Sequence, residues 1–186
     1  LTGCVVSDFA QDDYGNLWVA TEREGLLLHK RSSGNVSRYI SDALPNRINA
    51  ICYDGGMLWV GYHQGLCRLD IKSGTVRYFS DFSESLGGMD NRVLDIFRAT
   101  DGDLYIATSV GMICYESSTG TFYKVKCLGN GAIENVVQDD KGIVWVASYS
   151  SGVYAYNPEN KHLVGHWCVK EDGSVIPEMT SSMCLD

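Results

Sequence analysis

Gly142-Ile143-Val144-Trp145-Val146-Ala147-Ser148 is a run that the chain writes four times. Gly15-Asn16-Leu17-Trp18-Val19-Ala20-Thr21, Gly56-Met57-Leu58-Trp59-Val60-Gly61-Tyr62 and Gly102-Asp103-Leu104-Tyr105-Ile106-Ala107-Thr108 keep the same order of glycine, apolar residue, aromatic, β-branched residue and small residue. The aromatics Trp18, Trp59, Tyr105 and Trp145 stand 41, 46 and 40 residues apart. A second glycine follows each of them, at Gly25, Gly65, Gly111 and Gly152, and opens another apolar run such as Gly65-Leu66-Cys67-Arg68-Leu69. A repeat of this length is one supersecondary unit that cannot bury its apolar faces alone and must stack on its neighbours.

Working outward from the aromatic, each unit reads as four strands. Asp/Gly pairs precede it (Asp13-Tyr14-Gly15, Asp54-Gly55-Gly56, Asp101-Gly102, Asp140-Lys141-Gly142) and suit a tight hairpin from strand one into strand two, because glycine takes positive φ freely and Asp bonds nearby backbone. The aromatic strand is apolar at nearly every position instead of alternating, as a strand covered on both faces must be. Polar turns such as Lys72-Ser73-Gly74-Thr75 then lead to a β-rich fourth strand, as in Thr121-Phe122-Tyr123-Lys124-Val125. Helical periodicity is nearly absent. Short strands in a 40-odd-residue period select an all-β propeller over a sandwich or a single barrel.

The expectation is a β-propeller fragment of about four four-stranded antiparallel blades, approximately 4–43, 44–88, 89–131 and 132–173, in one partial domain. Met179-Thr180-Ser181-Ser182-Met183-Cys184-Leu185-Asp186 reads as strand one of a fifth blade within 174–186. The array therefore looks cut from a larger ring, and its exposed apolar blade faces predict self-association and packing against further blades of a parent protein.

Composition bounds the function. The chain has 186 residues, 45% hydrophobic and 20% charged, enough apolar material for a substantial core. Its formal charge of −8 and scattered 15 basic residues argue against contact with nucleic acid, which needs clustered Lys and Arg. No run approaches the roughly 18 apolar residues of a membrane span. Seven cysteines form no CxxC pair; most sit in strand-like apolar contexts such as Ala50-Ile51-Cys52 and Met112-Ile113-Cys114, and read as core thiols.

Catalytic and metal readings lack support. Asp12-Asp13, Asp101-Gly102-Asp103 and Asp139-Asp140 offer too few oxygens for calcium, and hairpin chemistry explains them. His162 and His166 fall in a fourth strand, where they would share a face about 13 Å apart, too far to chelate one ion. No nucleophile elbow or phosphate loop occurs. No cofactor or metal is expected. Trp18, Trp59 and Trp145 read as inter-blade core, not as sugar platforms, because they sit mid-strand in apolar runs.

Topology narrows the binding candidates. In an up-and-down blade the loop entering strand one and the loop between strands two and three emerge on one rim. That rim carries Pro45-Asn46-Arg47, Asp90-Asn91-Arg92 and Ile133-Glu134-Asn135, together with Glu22-Arg23-Glu24, Tyr62-His63-Gln64 and Tyr149-Ser150-Ser151. Arg47, His63 and Arg92 are the preferred ligand-binding residues, with Asn46, Gln64, Asn91 and Tyr149 beside them, since such side chains suit sugar hydroxyls and carboxylates. The competing reading is that all are ordinary solvated loop residues.

The consensus, seen most fully in Asp13-Tyr14-Gly15-Asn16-Leu17-Trp18-Val19-Ala20-Thr21 followed by Gly25-Leu26, resembles the two-component regulator propeller repeat, over essentially the whole chain. Repeat two departs with Gly61-Tyr62 where a small residue and then Thr or Ser is usual, and repeat three with Tyr105 for Trp and Thr100 for Asp. In that family such repeats build the periplasmic sensor region of Bacteroides-type hybrid two-component proteins, typically two seven-bladed rings before an immunoglobulin-like domain, a membrane helix, and kinase, receiver and helix-turn-helix parts. The resemblance implies a non-catalytic periplasmic segment that detects oligo- or polysaccharide breakdown products and signals to transcription. A lyase-like carbohydrate-active propeller and a protein-interaction scaffold stay open as alternatives, because one fold hosts many functions.

Overall fold

The structure, a computed structural model, describes residues 4–39, 43–85 and 92–168. The expected fifth-blade strand at 174–186 and the candidate Asn91 lie outside the described residues. The chain forms two compact units, Leu1–Ser80 and Asp81–Asp186. In the first unit, β1 (Val6–Gln11), β2 (Leu17–Thr21), β3 (Leu26–His29) and β4 (Val36–Tyr39) make one sheet, and β5 (Ile48–Asp54), β6 (Met57–Tyr62), β7 (Gly65–Asp70) and β8 (Val76–Tyr78) make the next. The second unit opens within α1 (Ser80–Ser85). It then forms β9 (Val93–Arg98), β10 (Leu104–Thr108), β11 (Gly111–Glu116) and β12 (Thr121–Lys124), and finally β13 (Ile133–Gln138), β14 (Val144–Ser148), β15 (Gly152–Asn157) and β16 (His162–Trp167). Every sheet is antiparallel and runs in sequence order. These are the four propeller blades that the repeat predicts.

β10 is buried at every position and β6 at its four central ones, as expected, whereas β2 leaves Leu17 and Val19 half-buried. Within the first unit, Trp18, Ala20 and Leu26 pack with Ile48, Ile51, Leu58, Val60 and Leu69, so one core joins two blades. Within the second, Tyr105, Ala107 and Met112 pack with Ile133, Val136, Val144, Val146 and Tyr156. Full burial of a side chain such as Leu58 or Val146 contributes about 1.5–3 kcal/mol, and each blade obtains it only from a neighbour. Cys67 and Cys114 belong to these cores, and burial pushes their thiols up to about 12 and about 11. Cys127 and Cys168 are exposed instead, and Cys4 and Cys52 are half-buried, so the expectation of core thiols fits only part of the set.

Trp145 also departs from expectation. Trp18 and Trp59 are 1% and 0% exposed, whereas Trp145 is half-buried and stacks on Trp167 of its own sheet, with ring centroids 5.5 Å apart. The Trp167 ring lies over Gly165, at a place where any Cβ would collide with it, and so reaches the indole. A register shift in β16 corrects the histidine reading too. Tyr156 pairs with Leu163 but Ala155 with Gly165, so Val164 is an extra residue. His162 pairs with Asn157 and His166 with Tyr154, three positions apart on the partner strand, which sets the two histidines on opposite faces.

The longer interval between Trp59 and Tyr105 has a structural use: it contains α1, whose Phe82 is fully buried and meets Phe122 edge-on at 5.8 Å.

Candidate functional site

Both rims of the blades are built by short-range hydrogen bonds, and their chemistry follows from the repeat. On the loop rim, the last residue of strand two turns a hydroxyl inward. Thr21 Oγ1 donates to the Gly25 carbonyl at 2.8 Å, Thr108 Oγ1 to the Gly111 carbonyl at 2.7 Å, and Ser148 Oγ to the Ala132 carbonyl at 3.1 Å. All three residues are buried, so the bond offsets the cost of enclosing a polar group. Repeat two has Tyr62 there, which packs edge-on against Tyr78 at 6.2 Å.

The two loop sets expected to share this rim lie side by side. Gly25 N–H donates to the Asn46 carbonyl at 2.8 Å, Ser109 N–H to the Arg92 carbonyl at 3.1 Å, and Tyr149 N–H to the Ala132 carbonyl at 2.9 Å. Arg47, His63 and Gln64 are exposed on the rim of the first unit; Arg92 and Tyr149 are exposed on the rim of the second. Asn46 is exposed but already engaged, since its Oδ1 accepts from Arg38 Nη2 at 3.0 Å, and Arg38 also faces Glu24 at 3.9 Å. Asn135 turns inward, donating from Nδ2 to Asp95 Oδ2 at 2.8 Å. Lys124, which sequence reasoning passed over, sits in this layer and donates to the Val110 carbonyl at 2.9 Å and to Asn130 Oδ1 at 2.7 Å. His166 stacks on Tyr154 with centroids 4.0 Å apart, and its Nε2 lies 2.6 Å from the Ser151 carbonyl oxygen.

Acidic side chains next to the strand-one bulges stitch neighbouring blades. Strand one carries a register shift in all four sheets, between Val6 and Asp8, Ile48 and Ala50, Val93 and Asp95, and Ile133 and Asn135. Such bulges re-aim a side chain. Here Asp8 Oδ2 accepts from Ile51 N–H at 2.8 Å, and Asp95 Oδ2 from Val136 N–H at 2.9 Å. Burial pushes the Asp95 carboxyl up, against the three hydrogen bonds from Val136, Ile96 and Asn135 that favour its charge.

The opposite, turn rim holds a second stitch. Tyr53 Oη donates to Asp13 Oδ2 of the preceding blade at 2.8 Å and accepts from Gly56 N–H at 2.9 Å. In the second unit Gln138 holds the same place: its Oε1 accepts from Thr100 N–H at 2.8 Å, and its Nε2 donates to the Gly142 carbonyl at 3.1 Å. The hairpins themselves are capped by Asp12 and Asp139, the first of each Asp pair. Asp12 Oδ1 accepts from the N–H groups of Tyr14 and Asn16 at 3.0 and 2.8 Å, and Oδ2 from Trp18 Nε1 at 3.2 Å. Asp139 repeats this with Lys141, Ile143 and Trp145. Burial works to raise the Asp12 carboxyl, but its hydrogen bonds outweigh burial and hold it below the usual carboxylate value. Asp139 is held low chiefly by the Trp145 indole.

Among the described residues, no cluster of three or more His, Cys, Asp or Glu could hold a metal ion, and no helix is long and apolar enough to cross a membrane.

Residues 1–23 match the family described as two component regulator propeller. No curated protein matches the sequence. Among solved structures, the extracellular domain of a hybrid two component system from B. thetaiotaomicron superposes with a TM-score of 0.81 at 19% identity, over 97% of this chain and 24% of its own. That of a one component system from the same organism gives 0.73 at 18% identity, over 90% and 24%. Virginiamycin B lyase from Staphylococcus aureus gives 0.71 at 12% identity, over 92% and 58%. The chain thus spans about a quarter of the length of those extracellular domains. The match to the two component regulator propeller family is thus confined to residues 1–23, and the blades share their fold with those B. thetaiotaomicron extracellular domains.

Proposed function

We propose that the chain is a non-catalytic segment of the periplasmic sensor region of a hybrid two-component system protein, and that the parent detects oligo- or polysaccharide breakdown products and signals to transcription. The observation that carries this reading is the blade architecture shared with such an extracellular domain over 97% of the chain, together with the family match in the first repeat. Arg47, His63 and Gln64 on the loop rim of the first unit, and Arg92 and Tyr149 on that of the second, are exposed side chains whose chemistry suits sugar hydroxyls and carboxylates. Asn46 supports the rim through Arg38. The partners in this reading are an oligosaccharide and the further blades of the parent, with no nucleic acid at this segment. The likeness to virginiamycin B lyase is one of fold, at 12% identity, and supports no chemistry.

The reading is tested in the intact parent protein. Replacing Arg47, His63 and Arg92 together by Ala should abolish the transcriptional response to its oligosaccharide while leaving expression and folding unchanged, because all three side chains are exposed. An unaltered response would remove the rim from consideration.

A further inference from the structure

A cleft opens on the turn rim of the first unit, at the other end of the strands from the candidate loops. It encloses about 550 Å³, and its walls include Asp13, Tyr14, Tyr53, Gly55, Gly56 and Lys72. The corresponding place in the second unit, bounded by Thr100, Gln138, Lys141 and Gly142, encloses about 140 Å³. The two places share their construction: the strand-one end of the later blade, Tyr53 or Gln138, bonds to the turn of the earlier one, at Asp13 or Thr100. The difference in volume has a cause in the sequence. The β5–β6 hairpin is Gly55-Gly56, both at positive φ (51° and 88°), with no neighbouring atom within 4 Å of where a Cβ would stand at either. The β13–β14 turn instead is longer and carries the side chain of Lys141 into the wall. Removing side chains from one turn has opened a space at a position where the other blade pair is nearly filled.

The walls of this space are suited to a ligand. Its volume falls within the roughly 300–1,000 Å³ of small-molecule sites. Tyr14 is 82% exposed at its edge, an aromatic face with little protein covering it. Asp13 is fixed by the Tyr53 hydroxyl, and a carboxylate has acceptor capacity beyond that one bond. Lys72 supplies donors from the facing β7–β8 turn. An anionic ligand is disfavoured, because Asp12 and Asp13 outnumber Lys72 among the lining charges. A metal ion is disfavoured as well: the Asp12 oxygens are occupied by Tyr14, Asn16 and Trp18, which leaves one carboxylate where calcium wants six to eight oxygens.

We propose that this cleft binds one ring of a neutral saccharide. The apolar face of the sugar lies on Tyr14, its hydroxyls donate to Asp13 and accept from Lys72, and the side-chain-free Gly55-Gly56 turn lets the ring approach backbone. The proposal rests on the carbohydrate reading above for its class of ligand, and on the cleft alone for its place.

The test is titration of the ¹⁵N-labelled chain with cellotriose, maltotriose and xylotriose, followed by amide chemical shifts. At least one of the three should move the amides of Tyr14, Gly55 and Gly56 in a saturable way. Tyr14→Ala and Lys72→Ala should each weaken that binding by about tenfold or more and keep the dispersed spectrum of the folded chain. Shifts confined to Arg47, His63 and Gln64 would overturn the cleft and favour the loop rim. Unmoved Gly55 and Gly56 amides with all three sugars would overturn the cleft also, while the carbohydrate reading itself would stand or fall with the full ectodomain.

Discussion

Trp145 Nε1 donates a 2.8 Å hydrogen bond to Asp139 Oδ2, and Trp18 makes the same bond to Asp12, each tryptophan reaching back six residues to the end of strand one. One carboxylate thereby closes the hairpin and orients the aromatic that fills the blade. Asp12→Ala would strand the buried Trp18 indole N–H and take the acceptor from the Tyr14 and Asn16 amides. It should cost about 1–3 kcal/mol, measured by urea unfolding of the chain. Asp139→Ala should destabilise in the same direction but less, because its surroundings are more open.

The same pair sets a pH dependence. Both carboxyls are held below their usual value in the fold, so their contribution is complete above the unfolded carboxylate pKa of about 3.9 and is lost as pH falls through the lowered folded value. The double variant Asp12→Asn, Asp139→Asn should therefore show a flatter loss of stability below pH ~4 than the native chain, followed by tryptophan fluorescence.

Asp95 behaves in the opposite sense. Burial raises its carboxyl, so what the protonated form contributes is present in acid and lost as pH rises through the folded value. Asp95→Asn keeps an acceptor for Val136 N–H and removes the enclosed charge. It should cost less at neutral pH than Asp95→Ala, which should cost about 1–3 kcal/mol. Equal losses in the two variants, measured by denaturant unfolding, would contradict the stitch.

Two glycines should respond oppositely to substitution. Gly152 has φ +78°, and a Cβ there would strike the Trp167 carbonyl, a backbone atom that cannot swing aside. Gly152→Ala should lower stability by well over the ~1 kcal/mol of the conformational cost alone. Gly55, with φ +51° and open space, should accept Asn almost unchanged, because Asn tolerates the left-handed region in two-residue hairpins. Thermal unfolding of the two variants separates them.

Self-association remains our proposal for the isolated chain. In the first sheet Val6, Phe9 and Val36 are exposed, at 53%, 67% and 45%, which is unusual for strand residues of this size. Sedimentation velocity at micromolar concentration should show species larger than a monomer, and Val6→Lys with Phe9→Lys should shift them to monomer. A monomeric native chain would remove the proposal.

The blade repeat was legible because its landmarks are local. Glycine turns, the buried aromatic and the inward hydroxyl of Thr21 or Thr108 all lie within one short run. The stitches were not. Asp8 to Ile51, Tyr53 to Asp13 and Thr100 to Gln138 join residues about one repeat apart, so aligning the repeats places the partners in different rows and hides the bond. Asp12-Asp13 and Asp139-Asp140 each contain two equivalent residue types, and only strand direction decides that the first one turns toward the tryptophan. The strand-one bulges leave no mark in composition, although they decide which way Asp8 and Asp95 point. On the loop rim, exposure was readable, but the engagement of Asn46 by Arg38 depends on how the intervening loop folds back, and that of Asn135 by Asp95 on packing between strands one repeat apart.

The most direct measurement is isothermal titration of the full ectodomain of the parent against a panel of neutral and acidic oligosaccharides. A carbohydrate-sensing propeller predicts saturable heat with one chemical class of oligosaccharide and none with the others; an absence of heat across the whole panel would contradict it.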